Sequence, residues 1–182
     1  MRIALAAPLT PLHVADGAAF ASFTTFVDIS PLPQLVIPAQ MMDVGLDLFI
    51  EAMGEFSNTG TPTLSLGVWF NGSAGLAPTS ILAQSSAIVT ASGVTGVPWH
   101  LMWRGRLRGT GSAGSFQGAG QLDLGSSLTA FNTSVPIPVT KALRTVAVDT
   151  TAARAVGVGA AWGTSSASNT ITCNYLSVLA VS

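Results

Sequence analysis

Leu46-Asp47-Leu48-Phe49-Ile50-Glu51-Ala52-Met53-Gly54-Glu55-Phe56 decides the fold class. Leu46, Leu48, Ile50, Ala52, Gly54 and Phe56 fall on one side of an extended chain, and Asp47, Phe49, Glu51, Met53 and Glu55 on the other. A period of two sustained over this length predicts a long β-strand with one buried face. Asn58-Thr59-Gly60-Thr61-Pro62 then carries turn chemistry, and Leu64, Leu66, Val68 and Phe70 resume the alternation. The two segments are expected to be neighbours across that turn.

The same period recurs outward from this stretch. Trp99, Leu101, Trp103, Gly105 and Leu107 alternate with His100, Met102, Arg104, Arg106 and Arg108, giving one aromatic face and one basic face. Ser112 to Leu124 alternates Phe116, Gly118, Gly120, Leu122 and Leu124 with small polar residues, and its glycines predict bulges or close backbone approach. Further strands are expected near Phe23 to Ile29, within Ser80 to Thr90, at Val146 and Val148, from Val156 to Trp162 and from Thr170 to Val181. Pro136 and Pro138 mark a loop or a sheet edge, and residues 163–169 a turn. Helical periodicity is nearly absent. About eight to ten strands at this spacing predict an all-β, jelly-roll-like two-sheet sandwich of antiparallel strands, with a closed barrel as the alternative.

The 182 residues suit a single domain. Residues 20–182 are read as the sandwich. Residues 1–19, with Pro8 and Pro11 holding them extended, are read as an N-terminal arm that anchors on this domain, on a sister subunit or on a capsid. Hydrophobic residues make up 48% of the chain and charged residues only 8%, against about 25% charged in an average soluble protein. A folded chain of this mass exposes about 8,000 Å², so each charge would serve roughly 550 Å² of surface. Such a surface is expected to be buried against other subunits or covered by small neutral side chains. The 48 uncharged residues between Glu55 and Arg104 include Pro62, Pro78 and Pro98 and recurrent polar residues, which excludes a membrane-spanning helix there. A net charge of −1 argues against a nucleic-acid partner.

Charge is segregated as well as scarce. Six of the eight acids precede residue 56, and six of the seven bases follow residue 103. Asp47, Glu51 and Glu55 share one strand face, and Arg104, Arg106 and Arg108 share another. Both are read either as solvated outer faces, lightly paired, or as an inter-subunit seam in which one copy's acidic strand meets a neighbour's arginine strand.

Catalytic signatures are weak. Asp47 and Glu51 lie about 13 Å apart along a strand, beyond the roughly 5 to 9.5 Å of a glycosidase pair. His13 and His100 sit in no nucleophile motif. Cys173, the single cysteine, has no zinc-ligand spacing and is read as a small core residue. Trp99 and Trp103, though conceivable as a sugar platform, alternate with leucines and are read as core. No enzyme activity, cofactor or metal is expected.

Glu55-Phe56-Ser57-Asn58-Thr59-Gly60-Thr61-Pro62-Thr63-Leu64, the Pro98-Trp99 step, Asp149-Thr150-Thr151-Ala152-Ala153, and the run from Ala161-Trp162-Gly163 through Asn169-Thr170-Ile171-Thr172 resemble the jelly-roll virion proteins of tailed bacteriophages, over roughly residues 20–181. The resemblance implies a structural role without cofactors, most specifically a homotrimeric decoration or cement protein. Such a protein is assembled in the host cytoplasm and binds the major capsid protein on the outer surface of the capsid. A tail or fibre component, with tail proteins as partners, and a carbohydrate-binding module for host glycans are the alternatives. The family supplies no catalytic residues to carry over.

Overall fold

The computed structural model describes residues 6–8, 16–31, 33–71, 80–127 and 130–181. These form β1 (Ala6–Pro8), β2 (Phe20–Ala21), β3 (Val27–Asp28), β4 (Leu35–Ile37), β5 (Asp47–Ser57), β6 (Thr63–Asn71), β7 (Ser80–Gln84) and β8 (Ile88–Val89). They continue as β9 (Val97–Gly109), β10 (Gly114–Ser127), β11 (Ala130–Ile137), β12 (Thr145–Val148), β13 (Arg154–Trp162) and β14 (Thr170–Val181), with 3-10 turns at Ala39–Met41 and Lys141–Arg144. The large sheet runs β1-β14-β5-β9-β10-β11, with β12 beside β10 and β2 beside β14. The small sheet runs β3-β13-β6-β7, with β4 beside β13 and β8 beside β6. Every pairing is antiparallel. The fold is the all-β, jelly-roll-like sandwich that the alternation predicts.

The alternating apolar residues meet between the layers. Leu48, Ile50, Ala52 and Phe56 of β5, Trp99, Leu101, Trp103 and Leu107 of β9, and Val178 and Ala180 of β14 face Leu64, Leu66, Val68 and Phe70 of β6 and Val156, Val158 and Trp162 of β13. Edge-to-face ring pairs cross the gap, Phe56 with Trp162 at 6.2 Å and Phe70 with Phe116 at 5.4 Å between centroids. Trp99 and Trp103 are core residues, as their spacing predicts. The Trp103 ring occupies the space over Gly105 and Gly118, which face each other across β9 and β10. A Cβ on either would come within 2.0 or 2.2 Å of the ring, so these glycines make room for an indole.

One expectation is corrected. β5 and β6 are not sheet neighbours: β5 lies between β14 and β9 in the large sheet, whereas β6 lies between β13 and β7 in the small one. The turn joining them crosses the sandwich because other loops satisfy its polar groups. Asn58 accepts from the Val94 N–H at 3.2 Å and donates to the Thr90 hydroxyl at 2.6 Å, and that hydroxyl donates to the Pro62 carbonyl at 2.7 Å. The return crossing from β13 to β14 runs beside it, where the Thr59 N–H reaches Asn169 Oδ1 at 3.5 Å and Asn169 Nδ2 donates to the Thr164 carbonyl at 2.9 Å. Nested crossings of β5–β6 and β13–β14 give the sandwich its jelly-roll character.

The two outer faces differ. Over the small sheet, the segment carrying Phe26, Asp28 and Ser30 covers β13 and Trp69, while Val36 of β4 and Val89 of β8 stay exposed. Trp69, on that side, is 0% exposed and donates from Nε1 to Asp28 Oδ1 and to the Val158 carbonyl, each at 3.1 Å. Gly157 and Gly159 leave the space that Ser30 Oγ and the Phe26 ring occupy. Over the large sheet, large apolar side chains remain exposed.

Candidate interaction face

Cross-strand register places the face residue by residue, since partners in a sheet project to the same side. Asp47 of β5 stands opposite Arg106 of β9, which stands opposite Gln117 of β10. The next row is Leu179, Phe49, Arg104 and Ala119, then Ser177, Glu51, Met102 and Gln121, then Tyr175, Met53, His100 and Asp123, with Glu55 opposite Pro98 beyond. The six predicted charged residues therefore do converge on one surface. The acidic strand meets the arginine strand within a single chain, because β5 and β9 are paired.

Asp47 carries the strongest link. Arg106 donates to it bidentately, Nε to Oδ1 at 2.6 Å and Nη2 to Oδ2 at 2.5 Å, and Arg104 Nη2 adds a bond at 3.1 Å. The Arg106 hydrogen bonds, reinforced by Arg104, hold the Asp47 carboxyl below the ordinary aspartate value against the opposing effect of burial, and Asp47 in turn raises Arg106. Expected as a solvated residue, Asp47 is only 7% exposed because the two arginine side chains fold over it. Arg104 also stacks on the Phe49 ring, its guanidinium carbon 4.4 Å from the centroid. Further along, His100 Nε2 lies 3.0 Å from Glu51 Oε1, and Gln121 Nε2 donates to Asp123 Oδ1 at 2.9 Å. Arg108 donates to Gln117.

Among these charged residues lies an apolar centre that the sequence reading missed. Met53, Met102 and Tyr175 are 40%, 44% and 43% exposed, and an open groove of ≈ 600 Å³ runs past Phe49, Met102 and Leu179. The available signal was the presence of Phe49 and Met53 at outward positions of an otherwise acidic strand face. A second groove, ≈ 440 Å³, adjoins it beside Met53, Glu55, His100 and Asn174 at the β14 bulge. Trp99 offers no ring face to a sugar: it is fully buried and its Nε1 donates to the Thr172 carbonyl at 3.2 Å.

Pro8 lies opposite Leu179 on β1, at the edge of this face, so part of the arm extends the protein's own large sheet. Pro11 lies outside the described residues. Among the described residues, no group of three or more histidine, cysteine or carboxylate side chains is placed to hold a metal ion, and no helix is long and apolar enough to cross a membrane. Cys173 is buried and its thiol is pushed up to about 12, chiefly by burial. The Asp149-Thr150-Thr151 motif is a turn clasp. Asp149 Oδ1 accepts from the Thr151 N–H at 2.9 Å and hydroxyl at 2.6 Å, while buried Thr150 accepts from the Gly111 N–H at 2.8 Å. No protein-family model and no curated protein matches the chain.

Proposed function

We propose that this chain is a structural subunit of a bacteriophage virion, of the type that decorates and stabilises a capsid, and that it works by burying the outer face of its large sheet. The carrying observation is the asymmetry of the sandwich: the small sheet's outer face is largely covered by the protein's own chain, with Val36 and Val89 exposed on its short edge strands, whereas the middle of the large sheet displays Met53, Met102 and Tyr175 among charged residues. A rigid surface with an apolar centre among charged residues suits assembly better than catalysis. The segments on which the resemblance to phage virion proteins rests are consistent with the reading, because Asn58, Asn169 and the Asp149 turn within them serve as structural clasps. The resemblance adds a homotrimer and the major capsid protein as partner.

Quantitative mass spectrometry of purified particles tests the proposal. Hundreds of copies per particle are the expected result of decoration, whereas about three to a few dozen would assign the chain to the tail or a fibre. Its absence from particles would overturn the virion role.

A further inference from the structure

The outer face of the large sheet is polar along its strands, and that polarity selects a partner and an orientation. Arg104, Arg106 and Arg108 share one end with Asp47, a formal charge of +2; Glu51, Glu55 and Asp123 occupy the other beside His100, a formal charge of −3 with histidine neutral. Both sets lie on consecutive outward positions, so the arginine rows and the acidic rows mirror each other about one point on β9, between the rows of Met102 and Arg104. Met102 and Phe49 lie on the rows either side of that point, and Met53 and Tyr175 one row further toward the acidic end.

We infer that this face docks on the same face of a second copy, about a two-fold axis lying between the sheets and perpendicular to the strands. This rests on the reading of the face as an assembly surface and deepens it by naming the occupant. Such a rotation reverses strand direction and leaves each strand over its own counterpart. Arg108 then meets Glu55 of the second copy, Arg106 meets Asp123 of the second copy, and Arg104 meets Glu51 of the second copy. Each pair occurs twice by symmetry. Phe49 and Met102 flank the axis one row to either side, so Phe49 lies over Glu51 of the second copy and Met102 over Arg104 of the second copy. A three-fold axis parallel to the strands would instead bring three arginine clusters level with one another, so any trimer contact belongs to another surface.

The size is adequate. Five strands about 4.8 Å apart and nine residues long at about 3.3 Å per residue cover roughly 24 by 30 Å, or about 700 Å² per copy and 1,400 Å² for the pair, within the standard range for specific interfaces.

The test is a charge swap at Arg108 and Glu55, which are exposed and lie outside the Asp47 cluster. Sedimentation equilibrium is measured for the full chain, for Arg108→Glu, for Glu55→Arg, for the two single variants mixed, and for the double variant. Far-ultraviolet circular dichroism and thermal melts verify that each remains folded. The wild type is expected to associate in even numbers, each single variant to dissociate at least about tenfold more readily, and both the mixture and the double variant to recover. A wild type that stays monomeric, or that binds only capsids through this face, overturns the pairing. So does an oligomer indifferent to all four arrangements. Neither result bears on the virion role, which the copy number per particle decides separately.

Discussion

Replacing Gly105 with alanine should destabilise the protein, although the backbone there permits any residue. In a strand interior, Gly→Ala alone would stabilise by about 0.5–1 kcal/mol. Here the new Cβ would sit 2.0 Å from Cη2 and 2.5 Å from Cζ2 of Trp103, against the roughly 3.5–4.0 Å of ordinary carbon contact. The ring must retreat by about 1.5 Å. Phe116 blocks it edge-to-face at 6.4 Å between centroids, and the space over Gly118 is already filled by the same ring. A cost of about 2–3 kcal/mol is expected from overpacking, read as a lower urea midpoint at unchanged slope or a melting point lower by about 4–12 °C. The decisive arm is Trp103→Ala, which itself costs about 3–5 kcal/mol. In that background Gly105→Ala should be neutral or stabilising by up to about 1 kcal/mol. An equal penalty in both backgrounds would refute the claim that the cross-strand glycines exist to seat the indole.

Asp47 is held below its ordinary value in the folded state, so its pairing contributes fully above the unfolded value of 3.8 and is lost as pH falls through the lower folded value. Melting temperature should therefore fall between about pH 5 and pH 2, with a shallower slope in Asp47→Asn; identical slopes would exclude Asp47 as a contributor. Asn58→Ala should cost about 1–3 kcal/mol in chemical denaturation, because the Val94 N–H loses its acceptor and the Thr90 hydroxyl one of its two hydrogen bonds. A change confined to a few tenths would show that the crossing turn does not depend on it. Cys173, buried with its thiol raised to about 12, should react with a thiol reagent at pH 8 only on unfolding; rapid labelling of the native protein would contradict its place in the core.

What the sequence made legible is what alternation encodes locally. β5, β9 and β14 show one apolar and one mixed face, and their inward residues, the tryptophans included, are the buried ones. Pairings between strands were not legible. Whether the chain after Asn58 folds back as a hairpin or crosses to the other layer depends on partners in Val94, Thr90 and Asn169, far along the chain, and the turn residues look the same either way. The union of β5 with β9 likewise decides that the acidic and basic strands meet within one chain. In β6, Trp69 is covered on its outer side by the segment carrying Asp28 and Ser65 by Gln84 of β7, so strand period alone could not show that this sheet is more covered than the other. The site was half legible: its six charges were visible as two sets, but its apolar centre was hidden because Phe49 and Met53 read as exceptions in an acidic face.

The central claim is that the outer face of the large sheet is buried in the working assembly. Peroxide oxidation of methionines, followed by peptide mass spectrometry, measures it directly, since Met53 and Met102 lie on that face and buried Met42 serves as an internal reference. In the assembled protein Met53 and Met102 should oxidise as slowly as Met42, and in the dissociated Arg108→Glu variant much faster. Rapid oxidation of Met53 and Met102 within intact assemblies would contradict the account.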